Sequence, residues 1–496
     1  MRQFVIFLVF LVFQGLIGQR TLKGVVFVDE NANGVLDGEE TRLSRVLVSN
    51  GKDIVATDNQ GNYSINTIND NPIFIVKPSG YISRLDADNK TKFYREEGDN
   101  SKSFNFPLYK NKEPKDFTIA LLGDLQVDVM DDVHHVGKLV TEELARNKPD
   151  FIVPLGDLSF DNHDIFNPLS KILGLIGAPI FYVIGNHDLN FGEASLEKRD
   201  RSYEEIFGPS YYAFEYGQQL FVVLNNNFPL KERTYEGRID INQLEFIKNL
   251  VDVKSKEYSS IKLFMHIPLE ETVNKEALLS ILAPFSEVFF ATGHTHTQYH
   301  NYHPREGRSE VHELIAGAVC GAWWQGSHDI RGVPFALMYD GTPKGYWLMD
   351  VGAESYTLNY KVSGSGKDHQ MNIWLPEKNE WDTDLNFLNE PFIYANVFAA
   401  DTRTEVSISF GNDQWVPMEK HEGIAPELIR FNALQELGRY EGQKISHTPK
   451  ATQNSKHLWR VKIPDDLASG TYLIQVKAEN EKLNLNAFAN RVLWID

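Results

Sequence analysis

A chain of 496 residues with 42% apolar and 24% charged residues has the material for about three globular domains with substantial cores. Its formal net charge of -19 disfavours non-specific attraction to nucleic acid or anionic membrane, so no nucleic-acid partner is expected. Cys320 is the single cysteine, which rules out an intrachain disulfide or thiolate cluster; it reads as a small buried apolar residue.

In chain order, Arg2 precedes an apolar run from Phe4 to Phe13, with Gly18 and Gln19 beyond it. A charged start, an apolar middle and a small residue at the cut form a signal-peptide pattern over residues 1–18. Leu16 is larger than the usual residue at its position before the cut, which leaves the exact site open. The run is shorter than the ~20 residues of a membrane span. The expectation is an exported chain, periplasmic or extracellular, without a transmembrane anchor.

Residues 19–112 carry short β-type runs separated by turn residues, among them Gly24–Val28, Val46–Val48 and Ile73–Val76. This spacing predicts a small β-sandwich. The stretch Asp29–Glu40 fits a calcium-loop template: Asp29, Asn31, Asn33, Asp37 and Glu40 offer oxygens, Val35 its carbonyl position, and Gly34 the sharp turn. Two readings stay open, a structural calcium ion or an Asn/Gly-rich turn that binds nothing. Asn111–Lys115 reads as a polar linker.

Residues 113–362 alternate strand and helix. Phe117–Leu122, Phe151–Val153, Ile180–Ile184, Leu220–Leu224, Ile261–Met265 and Val288–Ala291 are predicted strands; Val133–Asn147 and Ile241–Val253 are predicted helices. The alternation implies a layered α/β core. After Gly364-Ser365-Gly366 the remainder, 363–496, reads as mostly β, with one helix near Pro426–Leu437.

Five of the predicted core strands end in polar motifs: Gly123-Asp124-Leu125-Gln126, Gly156-Asp157, Gly185-Asn186-His187-Asp188, His266 and Gly293-His294-Thr295-His296. Each offers the oxygen and nitrogen donors that hold divalent metals, and a βαβ scaffold gathers strand-end loops into one site. The order Asp, Asp, Asn-His, His, His-x-His resembles the calcineurin-like metallophosphoesterase superfamily over residues 116 to about 340. With its β-rich flanks, the chain is similar to exported bacterial members that carry additional N- and C-terminal domains.

The resemblance implies two divalent ions, Mn, Fe or Zn. One would be held by Asp124, Gln126, Asp157 and His296, the other by Asp157, Asn186, His266 and His294, with Asp157 bridging. It implies attack on phosphorus by a metal-bridging hydroxide. It gives His187 the role of general acid or transition-state stabiliser, with Asp188 orienting its ring. Asn186 would also face the substrate, a small or medium phosphoester. The first motif departs from the usual Asp-x-His, since Gln126 stands where imidazole is common. Phe160 replaces the tyrosine of purple acid phosphatases, and Asp161-Asn162-His163 replaces the Asp-Arg-Gly of protein Ser/Thr phosphatases.

A Trp/Gly-rich loop follows, with Trp323, Trp324 and Arg331. Either the indoles stack on a substrate and Arg331 pairs with phosphate, or both indoles are core and Arg331 pairs with Asp329. The fold class expected is a central α/β metallophosphoesterase core flanked by β-sandwich-like domains, with oligomeric state open. The function expected is hydrolysis of phosphate mono- or diesters; the alternative is an inactive phosphoesterase fold that recognises surface glycans.

The calcium reading is checked by thermal unfolding. A hundredfold excess of calcium over its dissociation constant stabilises a native-state site by ~2.7 kcal/mol. Identical melting curves in calcium and in chelator leave the turn that binds nothing.

Overall fold

The computed structural model describes residues 20–68, 71–95, 103–353, 355–376, 390–411, 414–437 and 453–495. The expected signal peptide, 1–18, lies outside them. Among the described residues no helix is long and apolar enough to cross a membrane.

The central segment builds two sheets. One orders the strands Phe151–Pro154, Phe117–Leu122, Gly345–Val351 and Tyr356–Val362. The other orders Tyr212–Tyr216, Gln219–Val223, Ser260–Phe264, Glu287–Thr292, Val311–Ala316 and Gln298–His303. Its four inner strands run parallel and its two edge strands antiparallel. Strand periodicity sorts the core. Ile119, Leu121, Phe151 and Val153 belong to one apolar cluster, shared with the six-stranded sheet. Their neighbours Ala120, Leu122 and Ile152 belong to the other, against the helices that cover the outer face. Stacked rings fill the space between the sheets: Phe181 on Phe214 at 3.8 Å, Phe214 on Phe221 at 5.1 Å and Phe221 on Phe264 at 6.0 Å between centroids. The layered α/β core is therefore as expected, and β-rich domains flank it.

Two expected elements differ. The helix predicted from Val133 begins at Met130, because the Asp132 carboxylate accepts the amides of Asp128 and Val129 at 2.9 and 3.2 Å. It widens into a π turn over Gly137–Thr141 before finishing at Arg146. The segment Ile180–Ile184 runs beside Phe151–Pro154 but forms only isolated bridges. Phe181 N donates to Ile152 O and Val183 N to Pro154 O, and Pro154 has no N–H with which to complete the ladder.

The N-terminal domain consists of a five-stranded and a four-stranded sheet. It packs on the core through Phe74 against Phe246, 5.5 Å between ring centroids, and Phe93 against Tyr212 at 4.6 Å. The Asp29–Glu40 loop closes on itself: Asp29 accepts the amides of Asn33 and Gly34, and Asp37 accepts the side-chain amides of Asn31 and Asn33. The C-terminal domain is a pair of four-stranded sheets plus the helix Pro426–Glu436.

The polar segment Asn111–Lys115 is not a free linker. The Glu113 carboxylate, 2% exposed, takes Lys77 Nζ at 2.5 Å, Ser79 Oγ at 2.7 Å and the amides of Gly80 and Gly217 at 2.9 Å. One buried carboxylate thus joins two domains. Burial pulls the Lys77 pKa down, against the opposing pull of Glu113 and Glu215. Removing one partner of a buried pair costs about 3–5 kcal/mol. Glu113→Ala is therefore expected to lower the unfolding free energy from denaturant titration by that order, whereas Glu245→Ala, which breaks only the half-exposed Lys52 pair, changes it little. Equal effects would show that Glu113 anchors nothing.

Candidate metal centre

Each ligand motif lies just beyond the carboxyl end of a core strand or, for Asn186, of the bridged segment 180–184. The loops turn back sharply. Asp124, Gln126, Asp157, His294 and His296 all have positive φ, between 21° and 74°. Five non-glycine residues in that region of backbone space store strain where the side chains must converge. The motif glycines are close-approach glycines. A Cβ on Gly185 would lie 2.0 Å from Asp157 N, and one on Gly293 would lie 2.4 Å from Asp124 Oδ2.

The side chains meet in one buried network. His266 Nε2 lies 3.2 Å from Asp157 Oδ1, 3.1 Å from Asn186 Oδ1 and 3.3 Å from His294 Nδ1. Ligand atoms of Asp157, His266 and His294 all fall within 4.8 Å of one another. On the other flank, His296 Nε2 lies 3.5 Å from Asp124 Oδ1, and His294 N donates to both Asp124 oxygens. Gln126 Nε2 lies 3.2 Å from Asp157 Oδ2. The structure thus brings together all seven side chains singled out as ligands from sequence.

The charges are unbalanced. Burial raises the Asp124 pKa to about 8, and the neighbouring Asp157 charge adds to it. His266 is raised to about 9, burial being outweighed by Asp157. Burial and His266 lower His294 to about 3, and burial lowers His296 to about 4. Two fully buried carboxylates therefore demand positive charge, and protons supply it when nothing else does.

Three family profiles match segments of the chain. The profile described as calcineurin-like phosphoesterase matches residues 117–298. Those for the N terminal and the C terminal of calcineurin-like phosphoesterase match residues 30–111 and 313–484. The chain belongs to the calcineurin-like phosphoesterases. No curated protein matches it. Among solved structures, a dimetal phosphatase from Danio rerio is 14% identical, covering 51% of this chain and 100% of its own, with a TM-score of 0.37. A likeness of that size carries no argument.

The donors of this calcineurin-like phosphoesterase fit a pair of divalent ions. His266 Nδ1 is hydrogen-bonded to Leu155 O at 2.9 Å and His296 Nδ1 to Gly321 O at 2.8 Å. With those protons on Nδ1, both Nε2 lone pairs face the carboxylates, the orientation a metal-binding histidine takes from its outer hydrogen bond. Gln126 is the exception. Its Nε2 faces Asp157, while its Oε1 faces Cys320 Sγ at 3.9 Å. To ligate, its amide must turn over. Cys320 is fully buried, as expected, and burial pushes its thiol pKa well up, so it is a neutral neighbour of His296 and not a thiolate ligand.

One sequence reading needs correction, and in the Trp/Gly-rich loop the structure decides, residue by residue, between the two readings left open. Asp188 does not orient His187: its carboxylate accepts the amides of Leu158, Ser159 and Gly185, so it braces the loops. The ring partner is Asp161, whose Oδ1 lies 2.9 Å from His187 Nδ1, and whose Oδ2 takes Arg233 at 2.6 Å. Arg331 does not face the ligands; its guanidinium pairs with Asp329 at 2.9 Å. Trp324 donates to Leu125 O at 2.9 Å and lines a cavity with His135 and His328, apart from the ligand rings. Trp323 does reach the centre, its ring centroid 6.2 Å from that of His296 and 5.1 Å from that of Phe160. Sequence reasoning missed Asp161 and Arg233. Asp161 stood in view as a departure from another branch's motif, but Asp188 was nearer along the chain.

Asp157→Asn removes the charge shared by both ligand groups. Elemental analysis after dialysis is expected to find two equivalents of divalent metal in the wild type and less than one in the variant. Gln126→Ala is expected to weaken one equivalent only. Two equivalents retained by Asp157→Asn would overturn the bridging assignment.

Proposed function

We propose that this calcineurin-like phosphoesterase is exported and hydrolyses phosphate mono- or diesters. The observation that carries the reading is the placement of His187. Its backbone N–H donates to Asp157 Oδ1 at 2.9 Å, so the ring sits beside the carboxylate shared by both ligand groups. Phe160 stacks on it at 4.7 Å and Asp161 holds Nδ1.

When bound, two divalent ions would supply a Lewis-acid centre that activates water and offsets charge on the phosphoryl oxygens. Asp124, Gln126, Asp157 and His296 would hold one, and Asp157, Asn186, His266 and His294 the other. The remaining work falls to His187. Burial disfavours its charged form, but the Asp157 charge and the hydrogen bond to Asp161 outweigh it and raise its pKa. With Nδ1–H given to Asp161, Nε2 is the atom left to deliver a proton. As the ester P–O bond breaks, that proton passes to the departing alkoxide oxygen, and Asp161 stabilises the cation beforehand. Arg233, on the other oxygen of Asp161, keeps that carboxylate turned toward the ring. Export rests on the leader pattern at residues 1–18.

His187→Ala is expected to slow turnover about 10²–10⁴-fold for esters with poor leaving groups, and far less for p-nitrophenyl esters, while both metals stay bound. Loss independent of the leaving group would remove the acid role. Failure of the metal-loaded wild type to cleave any mono- or diester would favour the inactive, glycan-binding reading.

A further inference from the structure

The motif that supplies His294 and His296 runs directly into the edge strand Gln298–His303, and this edge is held by the C-terminal domain. Gln298 N donates to Asp340 Oδ2 at 2.7 Å, and Gln298 Nε2 donates to Phe398 O at 2.7 Å. Asp340 is buried and accepts from its own turn through Thr342 N at 2.9 Å. The same Oδ2 lies 3.2 Å from Nε2 of His457, which is fully buried next to the C-terminal strand Leu458–Lys462. Asn396, in the neighbouring C-terminal strand Phe392–Val397, donates to Asp340 O at 3.2 Å. From Asp340 the chain returns at once to the centre, since Tyr339 N donates to His296 O at 3.0 Å.

His296 is thus fixed on three sides. Its ring is held by Gly321 O, its carbonyl by Tyr339, and the chain two residues on by Asp340. One of these restraints passes through the buried Asp340 carboxylate and a second through the residue before it, and the side-chain partner of that carboxylate, His457, belongs to another domain. His296 also has φ 51°, a conformation that persists only when its surroundings impose it. Asp340 without His457 would be a buried carboxylate short of a donor, and its loop would have to move toward water.

We infer that His457 is a positioning residue for the metal centre: through Asp340 the C-terminal domain sets the backbone of His296 and with it the affinity of the ion held by Asp124, Gln126, Asp157 and His296. The inference rests on the ligand reading above. Because coupling between two binding events is reciprocal, metal binding also tightens the docking of the C-terminal domain.

The test is titration of the metal-free full chain with Mn²⁺ alone, followed by calorimetry, with Gln126→Ala marking which step belongs to the His296 site. His457→Ala is expected to weaken that step about 5–30-fold, within the range for a residue coupled to a site through a contact network, and to leave the other step within about twofold. His457→Gln, which can still donate to Asp340, is expected to recover most of the loss. Tyr302→Phe breaks a separate C-terminal contact, the 2.7 Å bond to Asp401, and should change neither step. A second measurement needs no variant: Mn²⁺ should slow amide exchange in Phe392–Val397 and Leu458–Lys462 of the wild type. Unchanged affinities in His457→Ala, equal weakening of both steps, or no change in exchange would overturn the inference. A wild type that binds fewer than two ions would instead overturn the ligand reading itself.

Discussion

The Asp157 carboxylate is the constraint on which the rest of the molecule depends. It is 1% exposed, and burial opposes its ionisation. Yet His266, His187 and His294 hold its pKa well below the usual carboxylate range. A charge kept in such a place must be surrounded by donors on every side. Those donors come from separate stretches of chain: His187 N, the Gln126 amide and His266 Nε2. Gly185 must be glycine, because a Cβ there would lie 2.2 Å from Asp157 Oδ1. The two-sheet core serves this convergence by delivering parallel strand ends to one edge.

The flanking domains fasten to that core through the same device, a buried carboxylate whose donors lie on both sides of a domain boundary. On the N-terminal side Glu113 joins Lys77 and Ser79 to Gly217. On the C-terminal side Asp340 joins Gln298 to His457. The two differ in what they reach. Glu113 ties a domain to a sheet edge, whereas Asp340 ties a domain to a loop that carries proposed ligands. Such a contact is costly to break and specific in its geometry, which suits a joint that must hold a position and not merely adhere.

The rim of the centre divides by chemistry. His187, Phe160 and Trp323 form one continuous wall, with Phe160 stacked on the imidazole and 5.1 Å from Trp323. Behind His187, Asp161 and Arg233 line a cavity of about 190 Å³ with Phe191 and Asn162.

By itself the sequence determined what depends on neighbours along the chain. Apolar runs placed Phe117–Leu122 and, one residue beyond the observed Ser260–Phe264, Ile261–Met265, and strand-end motifs marked all seven residues that meet at the centre, because backbone geometry and close-approach glycines are written locally. The broken pairing at Ile180–Ile184 was legible in part, since Pro154 is visible but its partner is not. Only the tertiary structure decided which side chains meet across the chain. Asp161, not Asp188, faces His187; Arg331 turns to Asp329; Glu113 is an anchor inside an apparent linker; and His457 reaches Asp340 from 117 positions away. These choices turn on packing between segments remote in sequence. A carboxylate bonds whichever donors the fold leaves beside it, and no local pattern encodes that.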